Sequence, residues 1–194
     1  MGNRAKILAF AGSAREESFN KKLIRNAVQG AEDAGASVTL IDLRDFPLPI
    51  FDQDAEAIHG LPENAVRLKA LMREHNGLLI ASPEYNSSIS PLLKNTIDWI
   101  SRTEREDEPM LECYIGKIAA IMAASPGALG GLRGLVTVRS ILSNINVLVL
   151  PQQVTVPEAH QAFNDDGRLA DPKKQAAVES LGRELAAVVA KLRG

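Results

Sequence analysis

Short aliphatic runs alternate with stretches of helical periodicity from one end of the chain to the other. Residues 6–11, 37–41, 78–81, 118–123 and 147–150 are each too short for a helix and mostly aliphatic, so they predict five strands. Between them Leu23, Ile24, Ala27, Val28 and Ala31 recur at the spacing of one helical face, and Leu61, Ala65, Leu68 and Met72 repeat the pattern. Ser90 followed by Pro91 predicts a capped helix start, with Leu93, Ile97 and Ile100 turned inward. A fourth helix carries Leu132, Leu135, Val136 and Leu142. Asp171-Pro172 opens the last, whose stripe is Val178, Leu181, Leu185, Val188 and Leu192. Strict alternation of strand and helix implies right-handed crossovers. The expected fold is therefore α/β: a doubly wound, five-stranded parallel sheet in the order 2-1-3-4-5, with helices on both faces.

Composition narrows the function classes. A chain of 194 residues, 45% hydrophobic and 24% charged, can bury one substantial core without disulfides or a structural metal. Its net charge of -2 provides no field for nucleic acid or an acidic membrane. Cys113 is the single cysteine; it cannot form an internal disulfide, reads as an inert, half-buried thiol, and fits a reducing compartment. With three scattered histidines it makes no zinc spacing. His75, just ahead of Asn76-Gly77, reads as a helix C-terminal cap. Arg4 and Lys6 precede an apolar stretch that is too short for a secretory signal, and Met1-Gly2 has Lys6 where a myristoylation motif needs Ser or Thr. No run approaches transmembrane length, and a cytoplasmic protein is expected. The charged run at 102–108 reads as a solvated loop, Asp98 and Arg102 as a favourable i, i+4 pair.

In an open parallel sheet, ligands bind beyond the carboxyl ends of the strands where the strand order reverses. Three loops there are small and rich in hydroxyls: Gly12-Ser13-Ala14-Arg15 continuing to Ser18-Phe19-Asn20, then residues 82–88, then Ser125-Pro126-Gly127 followed by Gly130-Gly131. The first sets Arg15, Lys21 and Lys22 around a helix N-terminus, which normally favours acids; a bound phosphate would resolve that conflict, with Gly12, Ser13, Ser18 and the Asn20 amide as donors. A solvated basic turn offset by Glu16 and Glu17, with Ser18 as a plain cap, accounts for it equally well. In the second loop Tyr85 and Asn86 offer a ring face and an amide, or plain turn chemistry, and Glu84 an acid–base group or a salt-bridged carboxylate. Asp42 stands where a dinucleotide fold holds a ribose, but only Gly12 of that fold's three glycines is present. Residues 45–54 form a long connection that either shapes the cleft, touches a neighbouring subunit or merely crosses the surface.

At these loops the sequence resembles the NADPH-dependent FMN reductase family, flavodoxin-like quinone, chromate and azo-dye reductases. The segments that carry the likeness run from Gly12 to Asn20, from Pro83 to Trp99 and from Ala124 to Gly131. The resemblance implies that residues 1–194 form a single flavodoxin-like domain holding FMN, its phosphate on Ser13, Arg15, Ser18, Phe19 and Asn20. Its isoalloxazine ring would lie against Pro83, Glu84, Tyr85, Asn86 and Ser87, with Ser125 and Gly127 closing the third side. It further implies NADPH or NADH as co-substrate, a homodimer or homotetramer with Lys94, Asp98 and Trp99 near a subunit contact, and no catalytic side chain or metal. Electrons would pass to a quinone, azo compound, free flavin or metal oxyanion such as chromate. A non-catalytic FMN-binding electron carrier or redox-responsive regulator is the alternative.

Overall fold

The computed structural model describes residues 4–193, so the reading of Met1-Gly2 lies outside the described residues. Strands β1 (Lys6–Ala11), β2 (Ser37–Asp42), β3 (Gly77–Ala81), β6 (Ile118–Ala124) and β7 (Leu148–Val156) form the parallel sheet, in the order β2-β1-β3-β6-β7. That is the expected 2-1-3-4-5 arrangement of the five core strands. Because alternate side chains leave a strand on opposite sides, the sheet builds two cores. Ile7, Ala9, Leu79 and Met122 pack under α1 (Phe19–Asp33) and α6 (Pro172–Arg193). Leu8, Phe10, Ile80 and Ile121 pack under α3 (Glu63–Glu74), α4 (Pro91–Ile100) and α5 (Leu132–Asn144).

The predicted helix starts hold where a side chain supplies the cap. Ser90 Oγ accepts from Leu93 N, and Asp171 accepts from Lys173 N and Lys174 N ahead of α6. His75 ends α3 as expected, its Nδ1–H donating to the Leu71 carbonyl while Nε2 meets the Thr39 hydroxyl. On α5 the inner face is Leu135, Val138 and Leu142, whereas Leu132 and Val136 are exposed. Leu192, the last position of the α6 stripe, is exposed as well.

Other elements differ from the predicted pattern. The fifth strand runs to Val156, past Pro151, because it lies at the sheet edge where a missing N–H costs nothing and a register shift opposite Ala119 and Ile121 absorbs the irregularity. The loop after β3 contains a small antiparallel hairpin, β4 (Glu84–Tyr85) and β5 (Ser88–Ile89). The connection at 45–54 runs into a short helix, α2 (Gln53–His59), capped by Asp52, and it is latched to α4: Asn95 accepts from Phe51 N and donates to the Pro49 carbonyl, which also receives Trp99 Nε1–H. Trp99 is thereby buried within its own chain.

The charged run is an exposed loop at 103–107, as expected, but it is anchored at its end. Glu108 is buried against Lys69 at 2.5 Å, and Arg73 joins Glu104, Glu108 and Glu112. Asp98 pairs with Lys94, while Arg102 reaches across to Glu56. Cys113 is fully buried; that burial pushes its thiol pKa up, which keeps it an unreactive thiol rather than a thiolate.

Candidate functional site: a cleft at the strand carboxyl ends

Parallel register places the ends of β1, β3 and β6 level with one another, Ala11 beside Ala81 and Ala81 beside Met122. The ladder continues one residue further, with Gly12 N donating to Ala81 O and Ser82 N to Met122 O. The three polar loops therefore start from a common edge. One cleft is lined by Ser13, Arg15, Ser18, Phe19 and Asn20 from the first loop, Pro83, Glu84 and Tyr85 from the second, and Ala124, Ser125 and Pro126 from the third. Asn86, Ser87 and Gly127 stand off its wall. Sequence reasoning missed Ala124 and Pro126, although both flank Ser125 directly after a strand.

The first loop has the makings of an anion site. Ser18 occupies the N-cap position of α1 in an extended conformation, yet its hydroxyl makes no cap hydrogen bond, so the plain-cap account fails. The first N–H groups of a helix have no partner within it and carry the positive end of its dipole. Ser13 and Ser18 are both buried and both border the cleft. Of the three cations expected to share this turn, Lys21 is paired with Asp42 at 2.7 Å and Lys22 with Glu17 at 3.2 Å. Arg15 forms no ion pair among the described residues; it lies over the Phe19 ring, which in turn stacks on Phe163. Its side chain is exposed at the edge of the cleft.

Two candidates from this region take other roles. The Asn20 side chain borders the cleft and also braces it: its Nδ2 donates to the Ala124 carbonyl and its Oδ1 accepts from Ala124 N, tying the start of α1 to the end of β6. Asp42 is not free for a ribose. Burial opposes its ionisation, but hydrogen bonds from Lys21 and Arg44 outweigh that and hold its carboxyl below the usual range.

In the second loop, Asn86 and Ser87 both have positive φ, 50° and 66°, and form the two-residue turn of the hairpin. Asn tolerates that conformation, so turn chemistry is what the residue supplies here. Tyr85 is about half exposed beside the cleft. Glu84 is salt-bridged rather than free for acid–base work: it pairs with Arg133 and accepts from Gly134 N.

The third loop is drawn tight against the sheet. Gly130 and Gly131 have φ of 61° and 92°; a Cβ on the first would lie 2.6 Å from Pro157 N and on the second 2.6 Å from the Ala123 side chain. Only glycine permits both that conformation and that approach. Ser125 Oγ accepts from Gly127 N, and Ser90 Oγ donates to Gly12 O, so the loops are braced from α4 as well. The cleft is thus polar and cationic at the α1 end and apolar or aromatic along Pro83, Tyr85 and Pro126. That arrangement suits a planar body with an anionic tail.

Comparison with known proteins shows what type of protein the chain is similar to. The family model described as NADPH-dependent FMN reductase matches residues 5–161. An NAD(P)H-dependent FMN reductase of Pseudomonas aeruginosa is 34% identical over the whole of both chains. A quinone reductase of Escherichia coli is 32% identical over 77% of this chain and 76% of its own. Among solved structures, the flavoenzyme NAD(P)H:(acceptor) oxidoreductase FerB of Paracoccus denitrificans superposes with a TM-score of 0.79 at 25% identity, covering 96% of this chain and 98% of its own.

Proposed function

Because the chain belongs to the NADPH-dependent FMN reductase family, we propose that the cleft at the ends of β1, β3 and β6 holds its FMN and that a quinone receives the electrons. The chain is an oxidoreductase with FMN as cofactor, NAD(P)H as co-substrate and a small molecule as acceptor. When bound, FMN supplies the hydride chemistry between nicotinamide and acceptor, and the protein supplies position and electrostatics.

The residues fit that group. Ser13 and Ser18 would donate hydroxyl hydrogen bonds to the phosphate, the first N–H groups of α1 would add the helix dipole, and Arg15 would neutralise charge. Pro83, Tyr85 and Pro126 offer flat, largely apolar surface to the ring and exclude water from it. Asn20 works indirectly, by fixing the phosphate loop to the strand that ends at the ring loop. Glu84, held by Arg133 and Gly134, keeps its negative charge turned from the phosphate end. Exposed Ile50 and Ile58, beyond the latch on α4, favour assembly into a homodimer or homotetramer, and a cytoplasmic location belongs to the same proposal. Among the described residues no helix is long and apolar enough to cross a membrane.

The observation that carries the assignment is Arg15, without an acidic partner among the described residues, near the buried Ser13 and Ser18 at an uncapped helix start. Arg15→Ala should weaken FMN binding roughly 10- to 150-fold, the loss of one charge-assisted contact of about 1.5–3 kcal/mol, read by quenching of FMN fluorescence. Unchanged affinity would remove Arg15 from the site. Steady reduction of a benzoquinone by NAD(P)H, dependent on FMN loading, is the accompanying activity test, and no turnover with any simple quinone would reject the acceptor assignment.

A further inference from the structure

We infer that Glu84 is a positioning residue whose carboxylate clamps the β4–β5 hairpin to the first turn of α5 and so sets where Tyr85 stands in the cleft. The inference rests on the FMN site proposed above and adds a device to it. Gly131 occupies the N-cap position of α5 and brings no side chain to its free N–H groups. Glu84 takes that task from a distance: one carboxylate oxygen accepts from Gly134 N at 3.1 Å and the other faces Arg133 Nε at 3.2 Å. A negative group there complements the helix dipole. Gly134 lets the two elements touch, since a Cβ on it would lie 3.3 Å from Glu84 Cα and 3.2 Å from the Ser88 carbonyl.

The hairpin needs such an anchor. Each strand has two residues, and its turn holds Asn86 and Ser87 in the left-handed region, which costs free energy for residues other than glycine. Ile89 secures the far strand by entering the second core; on the near strand the Glu84 carboxylate is the polar tie to α5. Its side chain is only 10% exposed, whereas that of Arg133 is 60% exposed. An exposed ion pair contributes little. The hydrogen bond to Gly134 N is therefore the part that holds, and Arg133 is secondary.

That division makes the inference testable with three variants of the full chain, Glu84→Ala, Glu84→Gln and Arg133→Ala. Amide hydrogen exchange in the hairpin, measured first without FMN, should quicken about tenfold in Glu84→Ala, about as much as losing a helix cap allows. It should stay near wild type in Arg133→Ala and be largely restored in Glu84→Gln, whose amide oxygen still accepts from Gly134 N. With FMN added, Glu84→Ala should bind about tenfold more weakly and alter the visible circular dichroism of the bound flavin, a signature that glutamine restores and a general loss of stability would not change selectively. Wild-type exchange, affinity and dichroism in Glu84→Ala would overturn the inference. If Glu84→Ala does not fold, equal hairpin exchange in Glu84→Gln and Arg133→Ala, both near wild type, supports the clamp; faster exchange in Arg133→Ala than in Glu84→Gln overturns it. Failure of the wild type to bind FMN would instead overturn the site assignment, while the exchange data without FMN still decide the clamp.

Discussion

Replacing Glu108 by alanine should destabilise the chain by about 3–5 kcal/mol, the cost of leaving a buried charge without its partner, visible as a lower urea midpoint. Lys69 and Glu108 have side chains 1% and 2% exposed, and Lys69 also donates to the Arg102 carbonyl. Glu108 accepts in addition from Arg73 and from Glu104 N, so its deletion strands several donors together. Removing both members, as in Lys69→Met with Glu108→Leu, should cost much less than either alone.

The pH dependence has a definite sign. Burial alone would raise the Glu108 pKa, but Lys69, the Glu104 N–H and Arg73 outweigh it and hold the carboxyl below its usual range. Stability from a lowered carboxyl pKa is complete above the unfolded value of about 4.3 and is lost as pH falls through the folded value. The gap between wild type and Glu108→Ala should therefore be full at neutral pH and narrow in acid. A variant within about 1 kcal/mol of wild type at pH 7, the worth of an ordinary surface pair, would contradict this account of the 102–108 segment.

Asn20→Ala should cost about 2–6 kcal/mol, because the N–H and the carbonyl of Ala124 both lose a partner in a buried place and each such loss costs about 1–3 kcal/mol. It should weaken FMN binding as well, since the phosphate loop is then no longer pinned to the loop beneath the ring. Asn20→Asp separates the two effects. A carboxylate can still accept from Ala124 N but faces the Ala124 carbonyl, and it brings negative charge to the start of α1, so its flavin affinity should fall below that of the alanine variant. Equal stability of Asn20→Ala and wild type by urea unfolding would show that the pair of hydrogen bonds is not the brace inferred here.

Why these roles were legible only in part follows from the kind of interaction involved. The sheet order and the three converging loops could be read from the chain because aliphatic runs, Ser90-Pro91 and Asp171-Pro172 are local signals. The partners of charged and amide groups are set by packing across long stretches of sequence. Asn20 meets Ala124, Lys69 meets Glu108 and Glu84 meets Arg133, none of which spacing along the chain specifies. The same holds for Lys21, paired with Asp42; with Lys22 paired to Glu17 as well, Arg15 is the cation of the first loop without an ion pair among the described residues. Tyr85-Asn86 is open to two readings in the sequence because residues that suit a tight turn also suit a polar cleft. β7 extends beyond the predicted 147–150, through Pro151, since an edge strand tolerates what a central one does not.

The most direct test of the central claim is a crystal structure of the protein reconstituted with FMN. The flavin should lie across the ends of β1, β3 and β6, its phosphate within hydrogen-bonding reach of Ser13, Ser18 and the first N–H groups of α1, and its ring beside Pro83 and Tyr85. Flavin density in the groove between α1 and β2 beside Lys21 and Asp42, or anywhere else away from those three loops, would contradict it.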